Sequence, residues 1–257
     1  MRYFKNILWG FSLVVFTAYA QQGTVKYKIQ NLKIDLPEGN DVKYPELYKE
    51  MQAANKFIEE EVVFCLEFNA IESLFMVEDN QYDFVALSKK YGVADYDLQT
   101  VLMNSYANKK IYKNISENNI VEEFDYCTVN ILIDDESIDV NWQLTNETLK
   151  IGDYLCYKAT GVWNYRAGGA VDIEEEVVAW YTSEIPLGYG PLAFKSLPGL
   201  ILRLDTPYYA YVASKIQFIK KENKPKSVKK PTIGHKMTYK EFYENQKVYV
   251  DNWIEMD

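Results

Sequence analysis

Histidine, cysteine and paired carboxylates carry most enzyme chemistry, and this chain offers them sparingly. His235 is the single histidine. It sits in Pro231-Thr232-Ile233-Gly234-His235-Lys236, and the chain has no G-x-S-x-G elbow to supply a nucleophile for it. It reads as a loop histidine. One histidine and three dispersed cysteines, Cys65, Cys127 and Cys156, fall short of a zinc ligand set. The acidic runs Asp134-Asp135-Glu136 and Glu174-Glu175-Glu176 lack the spacing of a calcium loop. The first is expected at a hairpin tip, the second inside a strand with its carboxylates solvated. There is no phosphate-binding glycine loop and no dinucleotide fingerprint. No catalytic residue, metal site or cofactor is therefore assigned. Among 37 acids no glycosidase pair stands out. The remaining catalytic option is a hydrolase that uses Glu184, with a tyrosine as proton donor.

Charge and cysteine content narrow the partners. A net charge of −9 does not suit a nucleic-acid binder. The stretch 215–236 holds eight lysines and one acid, and reads as a solvated loop. Arg2 and Lys5, an apolar run over 7–19 and Ala18-Tyr19-Ala20 form a cleavable export signal over residues 1–20. No later run is long enough to span a membrane. In an oxidising compartment strand parity favours Cys127–Cys156 if any pair forms, but three separate thiols are expected.

The elements that must position these residues are mostly strands. Tyrosine is abundant, with 22 residues, and aromatic and β-branched side chains suit a pleated, half-buried surface. Strands are expected over 24–31, 61–68, 73–77, 100–106, 109–114, 120–126, 128–133, 139–144, 154–159, 171–182, 200–204 and 208–220. Leu47, Met51, Ala54 and Ile58 mark a helix over 44–60. Thr238-Tyr239-Lys240-Glu241 is a capping box opening a C-terminal helix. Short polar breaks favour hairpins over crossover units. The expected fold is α+β and β-rich: a single large curved antiparallel sheet over 21–257, with a helix near each end. Residues 221–230 are the best internal linker.

The most specific stretch is Trp180-Tyr181-Thr182-Ser183-Glu184-Ile185-Pro186, then Gly190-Pro191, then Ser196-Leu197-Pro198-Gly199-Leu200-Ile201-Leu202. It reads as strand, long structured loop, tight turn, strand. Leu197-Pro198-Gly199-Leu200 suits a type II turn with Gly199 at positive φ. A loop of this length either plugs the core or lines a groove.

These residues resemble the GLPGLI family of exported envelope proteins of Bacteroidota, a family whose function is not established. Trp142-Gln143-Leu144 and residues 150–159 resemble the family's second recurrent block. Ser196 replaces the family's first glycine, which argues against an obligatory positive φ there. The resemblance implies an exported protein, periplasmic or associated with the outer membrane and its receptors, and a sheet like that of periplasmic lipoprotein carriers. The resulting expectation is a non-catalytic binding or carrier module for an apolar, peptide or protein partner. Its site is expected at Trp180, Tyr181, Glu184, Ile185, Tyr189, Phe194, Leu197 and Leu200. The alternatives are the carboxylate hydrolase and a purely structural envelope component.

Overall fold

The computed structural model describes residues 22–31, 45–78, 81–136, 140–167, 171–219 and 227–254. The expected export signal lies outside them. Twelve strands form one sheet: β1 (Gly23–Asn31), β2 (Val63–Phe68), β3 (Glu72–Val77), β4 (Lys109–Asn114), β5 (Asn119–Tyr126), β6 (Val129–Glu136), β7 (Gln143–Ile151), β8 (Tyr154–Ala167), β9 (Val171–Thr182), β10 (Leu200–Asp205), β11 (Tyr209–Phe218) and β12 (His235–Met237). The helices are α1 (Pro45–Glu61), α2 (Phe84–Tyr91), α3 (Asp95–Asn104) and α4 (Tyr239–Ile254). Strand order is β12-β6-β5-β4-β3-β2-β1-β11-β10-β9-β8-β7. Neighbours are antiparallel except the short β12, which runs parallel to β6, so the sheet is mixed. The first strand lies in the middle, between β2 and β11.

The sheet curls. Strands β4 and β8 are seven places apart in the order, which would separate them by about 34 Å in a flat sheet. Yet the rings of Tyr106, just before β4, and Trp163, in β8, lie 6.0 Å apart. The concave face is filled by α1, α3 and the loop 183–199. Phe57, Ile58, Leu98, Ile185, Tyr189 and Leu197 join Val25, Tyr27, Phe64, Phe75 and Tyr211 in one core. Two buried phenols keep partners there: Tyr27 donates to the Ile201 carbonyl at 2.7 Å, and Tyr211 to the Ser105 carbonyl at 2.9 Å. Burial pushes both well above the ordinary tyrosine range, with the Cys65 thiol adding to Tyr27 and the nearby phenols of Tyr106 and Tyr209 to Tyr211. The convex face carries a smaller cluster, Leu74, Tyr112, Val121 and Leu132, covered by Val228.

Several expectations need correction. Residues 100–106 were expected as a strand, but 95–104 form α3. Leu98 and Leu102 lie one turn apart and are its buried residues, while Asp95 and Asp97 favour the positive end of the helix dipole. Helix α2 was not expected; it sets Phe84, Leu87 and Tyr91 against the core, and its start is fixed by Asp83 accepting from the Ala86 N–H. Asp134 to Glu136 lie within β6 and not at a hairpin tip. There Asp134 pairs with Lys236 at 2.5 Å and accepts from Asn119, and both contacts hold its carboxyl below the usual range. Cys127 sits in the β5–β6 turn at φ 46° and not on a strand face, while all three cysteines are free, as expected of them. The linker expected over 221–230 lies partly outside the described residues.

The tight turn is built differently from the expectation. Gly199 does not have positive φ. A Cβ there would stand 2.1 Å from the Thr182 carbonyl oxygen, so the glycine serves close approach of two backbones. Positive φ falls instead on Ser196, at 73°, and on Leu192, at 55°. Ser196 therefore holds the glycine-like conformation that its side chain argued against.

Candidate functional site

Of the expected site residues, most point inward. Tyr181, Ile185, Tyr189, Phe194, Leu197 and Leu200 are all buried in the main core. Trp180 is half-buried, with the Lys158 ammonium over its ring at 6.0 Å. Glu184 is exposed, and its Oε1 accepts the Leu155 N–H at 3.1 Å. The loop is pinned at both ends by backbone bonds from Leu200 to Ile185 O (2.9 Å) and from Ile201 to Tyr189 O (2.8 Å). Trp142 Nε1 donates to Lys195 O at 2.9 Å. The indole thereby ties a distant segment to the loop backbone.

What the loop supports is a cavity of about 350 Å³ between the concave face and α4. Its walls include Tyr106, Trp163, Leu192, Ala193, Tyr239 and Tyr243. Phe194 stands behind Trp163, their rings T-shaped at 5.2 Å, so one loop residue braces the wall. On the opposite side, the capping box holds the start of α4. Glu241 N–H donates to Thr238 Oγ1 at 3.2 Å, and Glu241 Oε2 accepts the Thr238 N–H at 2.7 Å. Phe242 then packs edge-on against Phe124 at 5.4 Å, fixing the helix to β5. Tyr239 and Tyr243, on the same side of the helix, stack 6.2 Å apart at the cavity.

A polar pair completes the lining. Lys109 Nζ lies 2.7 Å from Glu122 Oε2, with side-chain exposures of 16% and 4%. The ammonium also lies over the rings of Tyr106 (5.1 Å) and Phe124 (4.6 Å). Burial, then the Glu122 carboxylate and its hydrogen bond, push the Tyr239 phenol far up, so it stays a donor. The arrangement offers aromatic faces and a fixed dipole. The Glu122 carboxylate is met by a lysine and by the Tyr239 phenol, which fixes the polar end of the lining.

A second polar feature lies further along β4. Lys113 is 2% exposed and donates to the carbonyls of Gly190 (3.1 Å) and Phe194 (2.9 Å). Burial, with the Lys195 charge nearby, brings its ammonium down to about 7. The unfolded chain holds that proton to about 10.5. Between these values the unfolded state binds more protons, so this group makes the fold more stable as pH rises. We expect the urea midpoint to climb from pH 7 to 9 relative to a Lys113→Met variant. Parallel curves for the two proteins would show that the ammonium is not desolvated.

The sequence reading missed Lys109, Lys113, Glu122, Trp163 and Tyr239. The strand period gave a usable signal for the lysines: Lys109, Ile111 and Lys113 alternate on one face of β4. That face turns out to be the concave one. Among the described residues no group of three metal-ligating side chains occurs, and no helix is long and apolar enough to cross a membrane.

The fold and site thus define a large curled sheet whose concave face closes, through a buried loop and a terminal helix, on one aromatic cavity. A model for a protein family of unknown function (Porph_ging) matches residues 165–203, the segment that holds β9, the loop and the start of β10. No curated protein matches the chain. Among solved structures, PNGF-II in its C2 crystal form is similar, with a TM-score of 0.51, 14% identity, and coverage of 91% of this chain and 33% of that one. Its P21 form gives 0.46 and 15%, covering 78% and 29%. The chain spans about a third of the length of that protein, and the likeness is one of fold.

Proposed function

We propose that the chain is an exported, non-catalytic binding module of the cell envelope, periplasmic or associated with outer-membrane receptors, of the GLPGLI type. Its ligand site is the cavity beneath α4. The observation that carries this reading is the lining itself, in which Tyr106, Trp163, Tyr239 and Tyr243 surround the buried Lys109–Glu122 pair. Apolar walls with a few convergent polar groups are the usual chemistry of a small-ligand site. The volume of about 350 Å³ admits a small ligand, or one or two side chains of a peptide, more readily than a long acyl chain. The loop residues act from behind: Phe194 and Leu192 shape the wall.

Native mass spectrometry of the chain purified from its own envelope tests the reading. A retained ligand or peptide mass is expected, with at least about tenfold lower occupancy in Trp163→Ala, because aromatic anchors dominate such sites. A clean chain mass in the parent protein, or the same adduct in Trp163→Ala, would refute the assignment.

A further inference from the structure

A separate cavity of about 230 Å³ lies where the β4–β5 turn meets the loop, lined by Lys113, Asn114, Asn118, Asn119, Lys195 and Ser196 among others. Its polar lining contains no carboxylate. An ammonium has three N–H bonds. Lys113 gives two to the Gly190 and Phe194 carbonyls, which leaves the third for the cavity it lines. A fully buried cation normally has an anionic partner, because an unpaired charge is costly to desolvate. Among the described residues Lys113 has no ion pair, and the charge that acts on it is the like charge of Lys195. Lys195 itself donates to Asn118 Oδ1, which holds its ammonium at the rim.

The rim is preformed. Asn114 Oδ1 accepts from the Ser116 N–H at 3.0 Å, the Ser116 hydroxyl at 2.8 Å and the Glu117 N–H at 3.1 Å, which fixes the turn. Asn118 adopts φ 53° and Ser196 φ 73°, so both sides of the cavity are held in left-handed backbone. Directly across the ladder from Lys113, the hydroxyl of Ser73 is buried and has no hydrogen-bond partner. The described lining is therefore rich in donors and holds no carboxylate; the nearest acids along the backbone are Glu117 in the adjoining turn and Asp135 and Glu136, across the ladder from Ile120 and Asn119.

We propose that this cavity is a binding site for a small oxyanion, a phosphate, sulfate or carboxylate group, held between Lys113 and Lys195. The site is independent of the cavity beneath α4. The geometry couples binding to a proton. When Lys113 is neutral its two N–H bonds serve the two carbonyls, and its lone pair faces the cavity. When it is protonated the third N–H faces the anion. Other titratable groups on the surrounding elements are Tyr189 on the loop, Glu72 at the start of β3, which accepts from Tyr112 at 2.6 Å, Glu117 in the β4–β5 turn, Asp134, Asp135 and Glu136 on β6, and Lys230, which donates to Asn119 at 3.2 Å. Of these groups and Lys195, only the charge of Lys195 acts on Lys113, so the proton linkage belongs to Lys113.

Isothermal titration of the purified chain with sodium sulfate, inorganic phosphate and sodium acetate, from pH 6 to 8.5, tests this. Sulfate keeps its charge across that range, so its pH dependence reports the protein. Saturable sulfate binding is expected, weakening by about tenfold per pH unit above pH 7 as one bound proton is lost. Lys195→Ala, at a half-buried position, should weaken it at least about tenfold while leaving the fold intact. Preference for phosphate and sulfate over acetate would identify a tetrahedral group as the ligand, and the reverse a carboxylate; both support the site. No saturable binding of any of the three anions, sulfate binding that is flat with pH, or binding unchanged in Lys195→Ala would overturn the proposal. Opening the aromatic cavity from α4 through Tyr243→Ala should leave these titrations unchanged, which keeps the two sites' failures apart.

Discussion

Phe194→Ala should lower stability by about 3–5 kcal/mol, the cost of emptying a buried phenylalanine site. Phe194 is 3% exposed, its ring meets Trp163 and Trp142, and its carbonyl accepts the Lys113 ammonium. Removing the ring takes one aromatic neighbour from each indole, while the bonds from Trp142 to Lys195 O and from Lys113 to Phe194 O hold the loop backbone in place, so collapse around the hole is hindered. Such a loss is a large share of the roughly 5–15 kcal/mol that holds a domain together. Urea unfolding, with an unchanged slope and a lowered midpoint, would register it. Phe194→Leu should cost much less, since most of the volume remains. A loss below about 1 kcal/mol in the alanine variant would show that the loop rides on the sheet and does not fill it.

Gly199→Ala should be comparably severe, at about 3 kcal/mol or more. The added Cβ would meet Thr182 O at 2.1 Å and Thr182 C at 2.6 Å. These are backbone atoms of β9, and Thr182 is the register partner of Leu200. The clash cannot be relieved by a rotamer; β10 must draw away from β9. Ser196→Gly should act in the opposite sense. It relieves a left-handed serine at φ 73° and is expected to stabilise by roughly 0.5–1 kcal/mol after the entropy of the extra glycine is counted. Thermal melts of the two variants check both signs. A Gly199→Ala protein that melts like the parent would mean that the two strands separate at little cost.

The contrast between these two positions shows what the sequence could and could not convey. Strand periodicity placed ten of the twelve strands, because alternation survives wherever one face is buried; it missed most of the exposed β7 and the short β12. The capping box placed α4, because Thr238 and Glu241 carry the signal locally. Thr100 and Val101 misled because β-branched residues also occur in helices whose buried stripe is narrow, here Leu98 and Leu102. The motif residues were legible as a unit, yet the loop's glycine at 199 could not be read as a close-contact glycine without knowing that β9 lies against it. The cavity was illegible for a related reason. Lys109, Glu122, Trp163 and Tyr239 come from four separate elements, and only the curl of the sheet brings them together.

The central place of β1 governs how this molecule can assemble. Gly23 pairs with Phe218 on one side and with Phe68 on the other, so the first strand is the seam between the block β2–β6 and the block β7–β11. The blocks are hairpin-built and can form from nearby residues. The seam needs contacts between opposite ends of the chain, and loop closure over such a distance slows folding. During synthesis β1 emerges first and waits for β11. Until β11 arrives, one edge of β1 lacks its ladder partner, and the molecule completes its sheet by joining its last long strand to its first.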